Sequence, residues 1–236
     1  MGDFGKKIDN FIHVFIDQNG YVKVLEGLQN TLLIAILGLI IGILIGTIIA
    51  IVRVIPKYKL LPRILNGICS FYVGAFRGTP IVVQLLVFYY VLLPILGIRI
   101  SGVNVSILVF GLNSAAYISE IMRSGIMSVD GGQMEAGRAV GLSFWTTMLQ
   151  IVIPQAIKNI LPTLGNEFIA LIKETSVVSF VGAADLYVAF SVIGSNSYEF
   201  MVPYLVMAMI YIILVLIISL GIKCMERSLR KSDRRS

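Results

Sequence analysis

Apolar residues fall in long runs separated by short polar interruptions, and the run lengths predict the elements. Residues 31 to 52, "TLLIAILGLIIGILIGTIIAIV", carry no charge, and a helix needs about 20 mostly apolar residues to cross the hydrocarbon core. Similar runs cover 79 to 98 (with a helix start expected as early as Leu61), 103 to 122 and 200 to 222. Residues 157 to 192 are apolar enough to insert but contain Asn166, Glu167, Lys173, Glu174 and Asp185. That interruption predicts a fourth span with an irregular or bent outer half, and an all-α membrane protein of five spans.

Ahead of these runs, Phe4, Ile8, Phe11, Ile12, Phe15 and Ile16 recur at three- and four-residue spacing, opposite Asp9, Asn10, His13 and Asp17. The pattern predicts an amphipathic helix lying in the membrane interface, within residues 1–24. The first apolar run begins near Thr31 and no small-residue cleavage site follows it, so no cleaved targeting peptide is expected. The organisation is then an interfacial segment 1–24, a permease domain 25–228 with a polar loop at about 128–156, and a basic tail 229–236.

Composition agrees with the runs. Of 236 residues 14% are charged, against roughly 25% in soluble domains. The formal net charge of +6 raises the possibility of nucleic acid, but the basic residues lie in the gaps between apolar runs, where orientation in a membrane explains them. Arg53, Lys57, Lys59 and Arg63 fill the first gap, and Lys223, Arg227, Arg230, Lys231, Arg234 and Arg235 crowd the tail, while Arg99 alone follows span two. Positive charge stays inside, so the first loop, residues 123 to 156 and the C-terminus are expected in the cytoplasm, with the N-terminus outside. On span one, Gly38, Gly42, Gly46 and Ala50 repeat every four residues, a register that lets another helix approach closely in lipid and suggests pairing of two chains.

Catalytic chemistry has few candidates. Cys69 and Cys224 match no disulfide framework or zinc spacing, and His13 is the single histidine. The "GKK" at residues 5 to 7 lacks both the upstream glycine and the Ser/Thr of a nucleotide loop. No catalytic residue, metal site or nucleotide site is expected in this chain.

Residues 131 to 156, "GGQMEAGRAVGLSFWTTMLQIVIPQA", form a polar island. Asp130 is placed to cap a short helix over 133 to 140, Gly141 to end it in the left-handed conformation, and Ser143 to cap a second helix that Pro154 and Pro162 bend or delay. Two short helices projecting from a bilayer have the shape of a docking element. The stretch resembles the EAA loop of ABC importer permeases: Glu135 and Ala136 match, Gly137 replaces the second alanine, Gly141 is in register, and Ile151 and Pro154 close the motif with Ile153 in place of leucine. "FRGTPIVVQL" (76 to 85), "LNSAAYISEIMRSGIMSV" (112 to 129) and "KETSVVSF" (173 to 180) look like signatures of the polar amino acid permease family, and the likeness runs from about residue 25 to 225.

The resemblance implies a type I ABC importer subunit in a prokaryotic plasma membrane. It would pair with a second permease, an identical copy or equally a related permease, and with two cytoplasmic ATPases that bind ATP and Mg. An external amino-acid-binding protein would supply the substrate. Asp130, Gln133, Glu135, Ala136, Gly137, Arg138 and Gly141 would form the ATPase docking surface.

Polar side chains inside spans are costly unless they face a cavity or a partner. Asn113, Tyr117 and Glu120 share one face of span three, Arg77, Gln84 and Phe88 a stripe on span two, and Thr163, Asn166, Glu167 and Ala170 a face of span four. An amino acid brings a carboxylate and an ammonium. Glu120 and Glu167 suit the ammonium, and Arg77 suits the carboxylate or else pairs with Glu120 or Glu167. Glu120, Glu167, Glu174 and Asp185 outnumber Arg77 and Lys173, which favours a basic amino acid. Glu174, Thr175 and Ser176 mark an outer gate, with Asp185 a contact for the binding protein. A carrier driven by an ion gradient through Glu120 or Glu167 is the alternative; it leaves the island unexplained. A membrane enzyme is a third, without a catalytic cluster to support it.

Overall fold

A computed structural model describes residues 3–56 and 58–233; Lys57, Arg234 and Arg235, which entered the charge argument, lie outside the described residues. The chain is helical: α1 (Asp3–Ile12), α2 (Gly20–Val54), α3 (Leu60–Arg77), α4 (Ile81–Val87), α5 (Leu93–Ile95), α6 (Gly102–Met127), α7 (Gly131–Ala139), α8 (Phe144–Thr147), α9 (Ile153–Glu174), α10 (Leu186–Ser197) and α11 (Met201–Asp233). Single π-turns join α1 to the Gln18–Asn19 break, α4 to α5 and α8 to α9. Pro94 and Pro154 each stand two residues beyond a π-turn. A proline ring collides with the carbonyl four residues back, and the wider turn moves that carbonyl aside so that the helix continues.

Among the described residues, three helices are long and apolar enough to cross a membrane: Gly20–Val54, Gly102–Met127 and Met201–Leu229. Two broken pairs, Leu60–Arg77 with Ile81–Ile95 and Phe144–Val181 with Leu186–Ser197, bring the number to five if each pair is one span. The breaks have local causes. Pro80 follows Gly78 and Thr79 and holds an extended backbone at φ −63° and ψ 139°. Gly182 adopts φ +73°, a conformation that side chains with a Cβ resist.

The chain divides into two compact units. The first comprises Met1–Gly38, Pro80–Gly111 and Ala170–Ile217, the second Leu39–Thr79, Leu112–Ile169 and Ile218–Ser236.

In the first unit, Phe11 and Val14 join a core with Val24, Leu186, Ala189, Phe190, Ile193 and Val202, and Lys7 pairs with Glu199 at 3.3 Å. The N-terminal segment is therefore packed on protein along one side, while Phe4, Ile12 and Ile16 remain exposed. It ends at Asn19, in the left-handed region at φ 56°, and α2 begins at Gly20, ahead of both the expected boundary at residue 24 and the apolar run at Thr31. Gly20 permits this sharp return, since a Cβ there would lie 2.8 Å from the Val14 carbonyl oxygen. Farther along, Asn30 donates to the Ala184 carbonyl at 2.8 Å and Thr31 accepts from the Leu186 N–H at 3.2 Å. Those bonds hold the irregular segment before α10 against α2.

In the second unit, α2 lies directly on α6. A Cβ at Gly42 would meet Ser114 Oγ at 2.8 Å, and one at Gly46 would meet the Ala115 carbonyl oxygen at 2.9 Å. The glycine register expected to pair two chains is thus occupied by packing within this one; Gly38 likewise abuts Phe110 in the first unit, and Ala50 is buried. Ile49, Val73 and Ala116 form one core cluster, and Ile118, Ala156, Ile160 and Leu164 another. Gly42→Leu is expected to destabilise the purified chain by about 1–3 kcal/mol through overpacking, read as a lowered detergent melting temperature. Ile40→Val, on the exposed face of α2, leaves it unchanged.

Candidate functional site

The polar loop follows its sequence cues closely. Asp130 Oδ1 accepts from the Gly132 N–H at 2.8 Å and caps α7, which starts at Gly131 and ends at Ala139, two residues earlier than the expected start at 133. Gly141 sits at φ +90°. Ser143 Oγ accepts from the Thr146 N–H at 3.2 Å and caps α8. The two helices meet where Gly137 faces the buried Thr147: a Cβ at 137 would lie 2.8 Å from Thr147 Oγ1. Thr147 Oγ1 also donates to the Ser143 carbonyl at 3.0 Å, and the Leu142 N–H donates to the Gly137 carbonyl at 3.0 Å. With its inner seam closed, the loop presents Asp130, Gln133, Glu135, Ala136, Arg138 and Gly141 to solvent, whereas Gly137, expected on the docking surface, is buried in the seam. At the position of the second alanine of the EAA pattern, a side chain would collide with Thr147 in this structure.

The second constellation centres on Glu120. One carboxylate oxygen is bonded to Arg53. The other accepts from Arg123 Nε at 2.9 Å and approaches Arg123 Nη2 at 2.8 Å. Arg77 reaches only to 4.0 Å of Glu120 and lies over the Tyr117 ring, 5.3 Å from its centroid. Asn113 donates to the Phe76 carbonyl at 3.5 Å, and Tyr72 to the Leu112 carbonyl at 2.5 Å. The face carrying Asn113, Tyr117 and Glu120 thus meets the end of α3, and Arg77 joins it.

Other expectations are corrected. Arg77, Gln84 and Phe88 do not form one stripe, because the helix breaks between Arg77 and Ile81; Gln84 is buried in the first unit. Nor is the interior electronegative around Glu120: Arg53 and Arg123 already neutralise it, and neither entered the acid count. Arg123 was visible at i+3 from Glu120, a spacing that brings helical side chains together. Arg53 is 67 residues away and no local signal marks the contact.

On α9, Glu167 accepts from the Ser114 hydroxyl at 3.0 Å, Thr163 donates to the Asn159 carbonyl at 3.0 Å, and Asn166 is exposed. The helix ends at Glu174 and a 3₁₀ segment, Thr175–Val181, follows. Thr175 is buried, with its hydroxyl on the Ile172 carbonyl at 2.8 Å, and Ser176 donates to the Lys173 carbonyl at 3.4 Å. Asp185 is wholly buried and accepts from the Val188 N–H at 2.9 Å as the cap of α10. It is structural, and no external protein can touch it in this arrangement. Among the described residues, no group of His, Cys, Asp and Glu could hold a metal ion.

Apolar helices long enough to span a membrane, a capped and exposed loop and an internal ionic cluster are the architecture of an integral membrane protein. The family described as binding-protein-dependent transport system inner membrane component matches residues 38–231, and the chain belongs to that family. Among its relatives is the arginine transport system permease protein ArtQ of Bacillus subtilis (strain 168), 40% identical over 70% of this chain and 76% of that one. A Rickettsia conorii protein named for glutamine transport, GlnP, is 39% identical over 71% and 77%. Of solved structures, an amino acid ABC transporter crystallised with histidines superposes with a TM-score of 0.82 at 38% identity, covering 91% of this chain and 98% of that one. The inward-facing MetNI methionine ABC transporter gives 0.73 at 19%, over 87% and 95%, and shares the fold. The chain is therefore the membrane component of a transporter and not itself an enzyme; family membership replaces the gradient-driven carrier as its class.

Proposed function

We propose that this chain is the membrane-spanning subunit of an ATP-driven importer of polar amino acids. The observation that carries the reading is the loop 130–147, whose caps and Gly137–Thr147 seam hold an exposed helix rigidly at the start of a long helical run. A rigid projection can pass on the movement of a partner, and the partner implied by the family is an ATP-binding subunit. On this reading five spans place the loop and the C-terminus in the cytoplasm and the N-terminus outside. Two ATPases dock on Gln133, Glu135, Ala136, Arg138 and Gly141 of two identical permeases, an external binding protein delivers the substrate, and the Glu174–Ser176 break is the outer gate. Arg77, Asn113, Tyr117, Glu120, Thr163, Asn166 and Glu167, all in the second unit, line the substrate route there.

Basic amino acids are the first class to test, since the Bacillus relative is named for arginine. Glutamine belongs beside them, since the Rickettsia relative is named for it. The experiment is a mild-detergent pull-down of the tagged chain from native membranes, read by mass spectrometry. Recovery of an ATP-binding protein with the native chain, and its loss with the Glu135→Lys, Gly141→Leu double variant, is the expected result. Failure to recover any such protein under conditions that preserve other transporter complexes overturns the docking assignment.

A further inference from the structure

We propose that Arg77 binds the α-carboxylate of the transported amino acid, and that the Arg53–Glu120–Arg123 cluster exists to keep Arg77 unneutralised for that task. The proposal rests on the importer reading above and adds which group of the substrate this site takes.

The argument starts from a charge balance. Three guanidiniums surround one carboxylate, so the cluster carries a formal surplus of two positive charges. The carboxylate is also used up: Arg53 holds one oxygen, and Arg123 approaches the other through two nitrogens at 2.9 and 2.8 Å. Arg53 and Arg123 are therefore the structural partners of Glu120. Arg77, at 4.0 Å, is beyond hydrogen-bonding distance from it.

Arg77 is instead held by its face. Its guanidinium carbon lies over the Tyr117 ring, 5.3 Å from the centroid, a cation–π contact that leaves its N–H donors unused. Its side chain is 44% exposed, against 15% for Arg53 and 35% for Arg123. A partly exposed fork of donors resting on an aromatic ring matches a carboxylate, which it binds through two parallel hydrogen bonds. Glu120 tunes this site without occupying it. At 4.0 Å it steadies the Arg77 position, while Arg53 and Arg123 draw off its charge so that an incoming anion is not repelled.

Such a site recognises what every α-amino acid shares and is indifferent to the side chain. Discrimination between substrates must then come from elsewhere along the route or from the binding protein. The expectation drawn from the acid count, a preference for basic side chains, concerns a different part of the substrate and stands beside this one.

The test is equilibrium binding of radiolabelled L-arginine, L-glutamine and agmatine to the detergent-purified permease–ATPase complex, in the absence of any binding protein. Agmatine is arginine without its carboxylate. The native complex is expected to bind the better of the two amino acids roughly ten- to hundredfold more tightly than agmatine, the range of a charge-assisted hydrogen-bonded contact. Arg77→Gln should bring that amino acid down to the agmatine level and leave agmatine unchanged. Arg77→Lys, which keeps charge but not the fork, should fall between, and Tyr117→Leu should weaken the amino acid by removing the floor of the site. Equal binding of agmatine and amino acids by the native complex overturns the proposal, as does an Arg77→Gln complex that retains the native preference. Absence of amino acid binding in a complex that still imports amino acids with its binding protein also overturns it, and leaves the importer reading standing. A chain that recovers no ATPase overturns the importer reading itself.

Discussion

Gly137→Leu is expected to abolish ATP-driven uptake while leaving the chain in the membrane. A side chain at 137 has nowhere to go, because Thr147 is buried and an added Cβ would already lie 2.8 Å from its hydroxyl oxygen. Thr147 cannot retreat cheaply, since its hydroxyl is engaged by the Ser143 carbonyl. The strain is therefore relieved by opening the angle between α7 and α8, and the exposed residues of α7 leave their docking position. Overpacking of this kind costs about 1–3 kcal/mol or more. The spans are untouched, so uptake into proteoliposomes should fall by at least about tenfold, the equivalent of 1.4 kcal/mol, with little change in membrane yield. Gly137→Ala should show a milder form of the defect, and Thr147→Ala added to it should restore much of the activity by vacating the space. A Gly137→Ala chain with full uptake would mean that the seam is slack and that rigidity at this joint is not required.

Glu120→Ala is expected to have the larger effect on stability. It removes the one carboxylate holding Arg53 and Arg123, both less than half exposed, and leaves like charges facing one another across α2 and α6. Breaking a buried ion pair by deleting one partner costs about 3–5 kcal/mol; with Glu120 at 18% exposure, water moderates this to roughly 2–4 kcal/mol. The detergent melting temperature should drop by roughly 5–15 °C. Glu120→Gln retains the shape but not the charge and should lose less. Arg123→Ala should cost less than Glu120→Ala, because Arg53 still satisfies the carboxylate. If Glu120→Ala melts with the native chain, the cluster does not hold α2 to α6, and its role is confined to the substrate route.

The sequence made some of this plain and hid the rest for physical reasons. Helix caps are local: Asp130, Gly141 and Ser143 satisfy backbone groups within three residues of themselves, so their roles follow from neighbouring residues alone. Long apolar runs are also local, and α6 and α11 begin within a residue of where the runs place them, though both continue past the apolar stretch, α11 as far as Asp233. Side-chain partners across the fold are not. Asp185 reads as a charge in a polar interruption, and only the packing of α2 shows it to be buried beneath Gly27, Asn30 and Thr31. The Gly38–Gly42–Gly46 register announces a close helix neighbour without saying which helix, and the neighbour is α6 of the same chain. Arg77 and Gln84 fall in phase on a continuous helix, but Pro80 ends the continuity.

The π-turn before Pro154 has a consequence for how the chain can change over time. Within the second unit it makes 144–169 one run of helical backbone, about 39 Å long at 1.5 Å per residue. Exposed side chains along this rod are free to drift. Its length is not: one residue inserted between Ile157 and Leu164 would rotate everything beyond by about 100° and swing Glu167 away from Ser114. Length polymorphism should therefore collect in the loops flanking the rod, and spare its interior even where the amino acids themselves diverge.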